Sequence, residues 1–364
     1  MNNIADLKPN WISSPSQTIS DILRDKKIDL IDFEEQMDYP KNFIDSLLSD
    51  NAPITDEIAS KLEKVLGASK NFWIRRENQY RNYLDQFDRI QIKRWIDELP
   101  LKEMLKNGWI SEKPDIYQSS MDFLAVKDLQ GLEQRYNEIA MSVNYRTSKT
   151  FSSKIGSLVA WIRQGELQAE KINCNEWNSY LFLKTLNELR TLTRQKQPQV
   201  FLPKLITECA KCGVAVSIVP NPNGSRVSGA TKFINDKKAL MILSFRYLSD
   251  DHFWFTFFHE AGHLIMNHNT DKMFIDVDNI VDLENGEEQE ANIFAGEMLV
   301  PSRYHDRMRN LRSNKRKIIA FSQEIGVSPG IVIGQMQHHK IISHNYLNGY
   351  KRHYKWEDIF EGTT

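Results

Sequence analysis

The sequence predicts a mainly helical α+β protein in three parts. These are a five-helix domain over 1–85, a helical middle domain over 86–200, and a C-terminal domain over 201–364 in which a small antiparallel sheet lies beside one apolar helix. Three observations carry this. Apolar residues recur at helical spacing through most of the first 212 residues, and strand-like alternation begins at Gly213. The pentad His259-Glu260-Ala261-Gly262-His263 then falls inside an apolar run that starts at Phe253 and ends at Met266.

The elements follow in chain order. Helices are expected at Thr18–Lys26, Leu30–Met37, Pro40–Ser49, Thr55–Leu66 and Lys70–Asp85. Pro40 suits a first helical turn, and Thr55-Asp56-Glu57 is a helix start. The middle region reads as helices at Ile90–Asp97, Pro100–Asn107, Leu129–Val143, Lys154–Lys171 and Trp177–Arg194. Arg146, Ser148, Trp161, Arg163 and Glu166 there offer either a polar cluster or a solvated helical face, and the solvated face is preferred. A helix from Pro203 to Cys212 precedes strands at Val214–Val219, Ala230–Ile234 and Ala239–Phe245. Pro220-Asn221-Pro222-Asn223-Gly224 is a turn between the first two strands. Asp250 and Asp251 open the next helix, where negative charge suits the N-terminal dipole.

Composition narrows the function. With 41% hydrophobic and 26% charged residues, the chain of 364 is an ordinary globular one. A net charge of −1 excludes a global pull toward nucleic acid or membrane. The sequence has neither a run of about 18 apolar residues nor a basic start followed by an apolar core, so the expectation is a cytoplasmic protein without membrane span or signal peptide. Three cysteines fit a reducing compartment. Cys209 and Cys212 form a CxxC that lacks a second pair, and they read as structural. Charge is uneven: residues 1–70 carry 13 acidic and 8 basic side chains, residues 301–364 carry 5 and 11.

The pentad is an HExxH motif. On a helix, residues i and i+4 share a face, so His259 and His263 can reach one metal ion, with Glu260 beside them as general base for water. Three ionisable side chains in a Phe/Trp/Leu/Ile-rich helix are costly to bury unless compensated, and a divalent cation compensates them. Gly262 inside the helix costs roughly 1 kcal/mol against alanine, which predicts a strand or facing helix passing close to it. A third ligand is required. About 25 residues on, the stretch Glu287-Glu288-Gln289-Glu290-Ala291-Asn292 opens a helix whose Ala291 and Ala295 permit close packing. Glu288, one turn before Asn292, projects toward the histidines, with Asn292 placed to orient it. Spacing leaves Glu284, Glu287 and Glu290 open as alternatives. Zinc suits two imidazoles and a carboxylate, and Mn2+ or Fe2+ could take the same ligands. His338 is a candidate second electrophile for a tetrahedral intermediate. His268 and His339 read as solvated, and Arg246 either holds a carboxylate near the site or pairs with Asp250 or Asp251.

A small antiparallel sheet beside such a helix resembles the upper half of a zincin-type metallopeptidase. The assembly LSFRYLSDDHFWFTFFHEAGHLIMNH followed by EQEANIFAGEMLVP is similar to the ImmA/IrrE family of gluzincin-like metallopeptidases. The resemblance implies that the glutamate of ExxAN, here Glu288, completes the metal site. It also implies limited proteolysis of a partner regulator, often a helix-turn-helix repressor or antitoxin. Residues 1–85 resemble the HigA-like XRE helix-turn-helix domains of antitoxins and repressors, through the spacing of Ile28–Thr55, Ala52-Pro53-Ile54-Thr55 and Leu66-Gly67-Ala68-Ser69. Two positions depart from that pattern: Glu34 stands where a small residue is usual, and Asp38 where the turn usually carries glycine. Lys41, Asn42 and Ser46 are the DNA-binding candidates of the recognition helix, but Asp45 and Asp50 would repel phosphate. Two functions follow as expectations. The first is a zinc-dependent endopeptidase acting on a helix-turn-helix partner. The second is a DNA-binding regulator or antitoxin in which the metal domain senses a ligand or partner. Homo-oligomerisation through the front-to-back charge asymmetry is a further expectation.

Overall fold

Ser14, Asp29 and Thr55 each precede an apolar-periodic stretch, and each starts a helix by accepting the backbone N–H of the residue three positions further on. A computed structural model describes residues 13–144, 155–222, 225, 227–266, 273–277 and 286–361. It divides the chain into two units, 1–93 and 94–364.

The first unit holds α1 (Pro15–Lys26), α2 (Leu30–Met37), α3 (Lys41–Leu48), α4 (Asp56–Leu66) and the larger part of α5 (Lys70–Asp97). Ile19, Phe33, Met37, Ile44, Leu62 and Trp73 meet in its core. The turn between α2 and α3 puts Asp38 at φ 53°, the left-handed conformation in which glycine is the commoner residue. Lys61 holds that turn by donating to the Met37 and Asp38 carbonyl oxygens at 2.9 and 3.2 Å. Helix α5 is continuous where the sequence suggested a break between 85 and 90. The intervening Gln86-Phe87-Asp88-Arg89 contains neither Gly nor Pro to stop it.

In the second unit α6 (Leu101–Lys106), α7 (Ile116–Leu124), α8 (Leu129–Asn144), α9 (Ile155–Glu170), α10 (Ser179–Leu189) and α11 (Pro198–Lys211) lead into the sheet. Helix α7 was not foreseen from the sequence; it is short and capped by Asp115. Its strands are β1 (Val214–Ile218), β2 (Val227–Asn235), β3 (Lys238–Leu243) and β4 (Phe274–Val277), in the order β1-β3-β2-β4. The antiparallel sheet expected from the sequence is corrected here to a mixed one. β2 pairs antiparallel with β3 and β4, but β1 runs parallel to β3. Strands β1 and β2 are separated by β3, which the β2–β3 hairpin places beside β1; of the turn expected at 220–224, Asn223 and Gly224 lie outside the described residues.

Helices on both sides of residue 200 share one core. Phe182, Leu186 and Leu189 of α10 and Phe201 and Leu205 of α11 pack with the sheet and with α12 (Asp250–Ile265), the HExxH helix. The other helices are α13 (Gly286–Leu299), α14 (His305–Leu311), α15 (Lys315–Ile325), α16 (Pro329–His338) and α17 (Trp356–Glu361). The expected solvated face of α9 is corrected to a half-buried cluster. Trp161 is fully buried and donates to the Val219 carbonyl at 3.0 Å. Glu166 pairs with Arg135 of α8, with Arg163 and with Lys232 of β2. Burial alone would raise the Glu166 carboxyl, but Lys232 and Arg135 outweigh it and hold it below the ordinary range. Arg146 and Ser148 lie outside the described residues.

The start of α12 is tied to the C-terminal segment. The Asp250 carboxylate accepts from Ser328 Oγ at 2.7 Å and from the Arg352 backbone N–H at 3.0 Å. Lys351 Nζ lies 2.6 Å from the buried Asp251 carboxylate. Gly330 and Gly334 of α16 leave the space those two carboxylates occupy, since a Cβ at either would sit 2.3 and 2.9 Å from a carboxylate oxygen. The Tyr354 N–H donates to the Leu248 carbonyl at 2.7 Å. Dipole compensation, the role read from the sequence, is therefore joined by a buried ion pair. Lys351→Met, which strands the Asp251 charge, should cost about 3 kcal/mol of unfolding free energy in urea denaturation.

Candidate metal centre

Helix α12 lies in the core, and the face that carries the pentad is buried with it. His259 is 3% exposed, His263 1% and Glu260 0%. The facing helix is α13. Ala291 and Ala295 are fully buried, and a Cβ on Gly262 would come within 3.2 Å of the Ala291 Cα, so the close approach predicted at Gly262 is made by α13 rather than by a strand. That approach sets Glu288 over the two imidazoles. Its carboxylate oxygens lie 3.2 Å from His259 Nε2 and 3.6 Å from His263 Nε2, and the two Nε2 atoms are 3.1 Å apart. One ligand atom from each of the three residues falls within 4.8 Å of the others, the only such group of metal-ligating residues among the described ones. Burial would raise the Glu288 carboxyl, but hydrogen bonds from His259 and His263 prevail and hold it far below the usual carboxylate range.

His259 Nδ1 meets Asn292 Oδ1 at 3.1 Å. An amide oxygen only accepts, so Nδ1 carries a proton, and Nε2 is the nitrogen turned toward His263 and Glu288. The contact given to Asn292 is thus with an imidazole, where the sequence placed it as a support for Glu288. Two nitrogens and a carboxylate converging in a largely buried site fit a divalent cation. Among the alternatives, Glu287 and Glu290 share α13 but do not join that group, and Glu284 lies outside the described residues, as does His268.

The sheet supplies the other wall. Thr231 Oγ1 of β2 donates to Glu260 Oε2 at 3.1 Å. Two residues earlier on the same face, Gly229 makes room, since a Cβ there would sit 2.4 Å from Glu260 Oε1. The ring of Phe274, on β4, lies 4.4 Å from that of His263. Sequence reasoning missed all three. A glycine inside a strand was the one available signal, because it marks a close approach. His338 ends α16 on the surface, with its ring 6.5 Å from that of Phe255, which is 6.3 Å from the His259 ring. Arg246 is half-buried with its guanidinium 5.0 Å from the Tyr247 ring centre, while Asp250 and Asp251 take the partners described above. Lys41 and Asn42 are exposed on α3, and Ser46 donates to the Asn42 carbonyl at 2.9 Å. Cys209 and Cys212 are buried; Cys212 Sγ lies 3.3 Å from Thr185 Oγ1.

This geometry separates Glu288 from its neighbours on α13. Glu288→Ala should weaken zinc binding at least tenfold, whereas Glu290→Ala should leave it unchanged, as read by competitive titration with a chromophoric chelator.

A comparison with curated proteins finds no match. The stretch from Val219 to Ile333, which includes β2, β3, α12 and α13 with all four of His259, Glu260, His263 and Glu288, matches the Peptidase_M78 family. This part of the chain is similar to the IrrE N-terminal-like domain that the family model describes.

Proposed function

We propose that the protein is a metal-dependent endopeptidase of regulatory type, acting on a protein partner such as a helix-turn-helix repressor or antitoxin. The convergence of His259, His263 and Glu288 beside the buried Glu260 carries the proposal. The three residues would hold Zn2+, with Mn2+ or Fe2+ as fitting occupants. A cation held there supplies Lewis acidity, which acidifies water and polarises the scissile carbonyl. Glu260 accepts the proton from the attacking water and passes it to the departing amine. Thr231 and Gly229 keep its carboxylate against β2, in register with the histidines on either side of it in the motif. Asn292 fixes the His259 tautomer. Ser249, Asp250 and Asp251 hold the far end of the helix.

The N-terminal unit is, in this proposal, a helix-turn-helix module of HigA/XRE type used to dock the partner. The net charge of −5 over residues 1–70 supports docking to protein over binding to DNA, because phosphate contacts supply most DNA affinity. Lys41, Asn42 and Ser46 on α3 then serve the protein contact.

Two outcomes are expected. Glu260→Gln should retain bound zinc but cleave a co-expressed helix-turn-helix partner about 100-fold or more slowly than the parent chain. Equal cleavage by the variant would remove the proposed role of Glu260. In an electrophoretic mobility assay at moderate salt, the chain should not shift its own upstream DNA; a specific shift would favour the regulator reading.

A further inference from the structure

Seven lysines and arginines stand between Arg303 and Lys317, against one carboxylate, Asp306. That net charge of +6 is the whole positive excess of residues 301–364. All seven are exposed, just before α14, on it, on the turn after it and on the first turn of α15. We infer that this face is a docking surface for an acidic segment of the protein substrate, some residues away from the bond that is cut; the inference rests on the peptidase reading above.

Two local choices run against the stability of the fold. Arg312 sits at φ 50° and ψ −137°, where glycine is the cheaper residue. Lys315, Arg316 and Lys317 fill the first turn of α15, which holds no acidic residue, so three cations face the positive pole of the helix dipole. Nor does the chain neutralise most of this charge. Arg307 is held by Glu324 at 2.7 Å and Arg309 by Asp306 at 3.1 Å, but among the described residues Arg303, Arg312, Lys315, Arg316 and Lys317 form no ion pair. The surface is continuous with the HExxH centre. From His259 a row of rings runs outward through Phe255 at 6.3 Å, His338 at 6.5 Å and His339 at 5.2 Å to His305 at 5.0 Å, the first residue of α14. Phe255 is half-buried and His338 and His339 are exposed, so an extended chain that crosses the motif can follow the row to α14. Carboxylates on that chain complement the guanidinium forks it meets there. A nucleic acid is the other polyanion of matching charge. Against it, α16, which follows α15 after a turn at Gly326, is buried from Gly330 to Ile333 and from Gln335 to Gln337, and so offers no helix to a groove.

The test is fluorescence anisotropy of the full chain with a fluorescein-labelled decaglutamate at moderate salt. The parent should bind it, and Arg312→Glu combined with Arg316→Glu should bind about tenfold more weakly. Lys102→Glu combined with Lys106→Glu, at exposed positions of α6, makes the same change in net charge and should bind as the parent does, and all three proteins should share one circular dichroism spectrum. Glu260→Gln and the chelator-treated chain should also bind like the parent, because the surface lies outside the metal centre. Against a helix-turn-helix partner, the Arg312 and Arg316 variant should raise KM and leave kcat unchanged. Equal peptide binding by the parent and both double variants, or no binding at all, overturns the inference, while metal-dependent cleavage of the partner would still uphold the peptidase reading. Tighter binding of a DNA strand of equal charge, lost in the Arg312 and Arg316 variant, assigns the surface to nucleic acid and likewise overturns the inference. Peptide binding weakened in that variant, with no cleavage of the partner by the parent, upholds the docking surface and removes the peptidase reading.

Discussion

Burying ionisable side chains within an apolar helix is the constraint on which the second unit is organised. His259, Glu260 and His263 are nearly or wholly out of water, and Phe257 and Phe258 beside them are fully buried. Each of the three needs a partner in the interior, where an unpaired polar group costs far more than at the surface. The fold supplies partners from two directions: α13 brings Glu288 and Asn292 to the imidazoles, and β2 brings Thr231 to the carboxylate. Both approaches demand small residues. Gly262, Ala291 and Ala295 let the helices close, and Gly229 lets the strand pass over Glu260.

A second layer of polar burial fixes the other end of α12. Asp250 and Asp251 could have compensated the dipole from the surface, yet they face inward, against α16 and the segment from Lys351 to Tyr354. Residues near the end of the chain thereby orient a helix whose chemistry is carried a hundred residues earlier. The family match ends at Ile333, so this tie depends largely on sequence beyond the matched stretch. It links the packing of the C-terminal helices to the alignment of the face that carries His259 and His263, since a rigid helix transmits a shift at its first turn to its last.

Much of the centre was legible in advance because helical periodicity is local. The i, i+4 spacing of the histidines and the one-turn offset from Glu288 to Asn292 are set within single helices, and α2, α12 and α13 form where the sequence placed helices. The strands were less legible. A parallel pairing of β1 with β3 depends on which way a loop carries the chain, and Pro220-Asn221-Pro222 suits a hairpin turn as well as a crossing. Strand β4 is four residues long and gives almost no alternation to detect. The polar cluster about Glu166 was misread because its partners, Arg135 and Lys232, come from elements far apart in the chain.

The sequence by itself determined the chemistry offered by α12: two imidazoles and a carboxylate on a helix too apolar to face water. It also narrowed the third ligand to a few glutamates of one acidic stretch. The tertiary structure decided which of these meets the histidines, what holds Glu260, and why Gly229 and Gly262 are glycines. Those choices rest on distances between separate elements, and one-dimensional spacing carries no such distances. Only the packing of α13 and β2 on α12 brings the chosen atoms within 4 Å of one another.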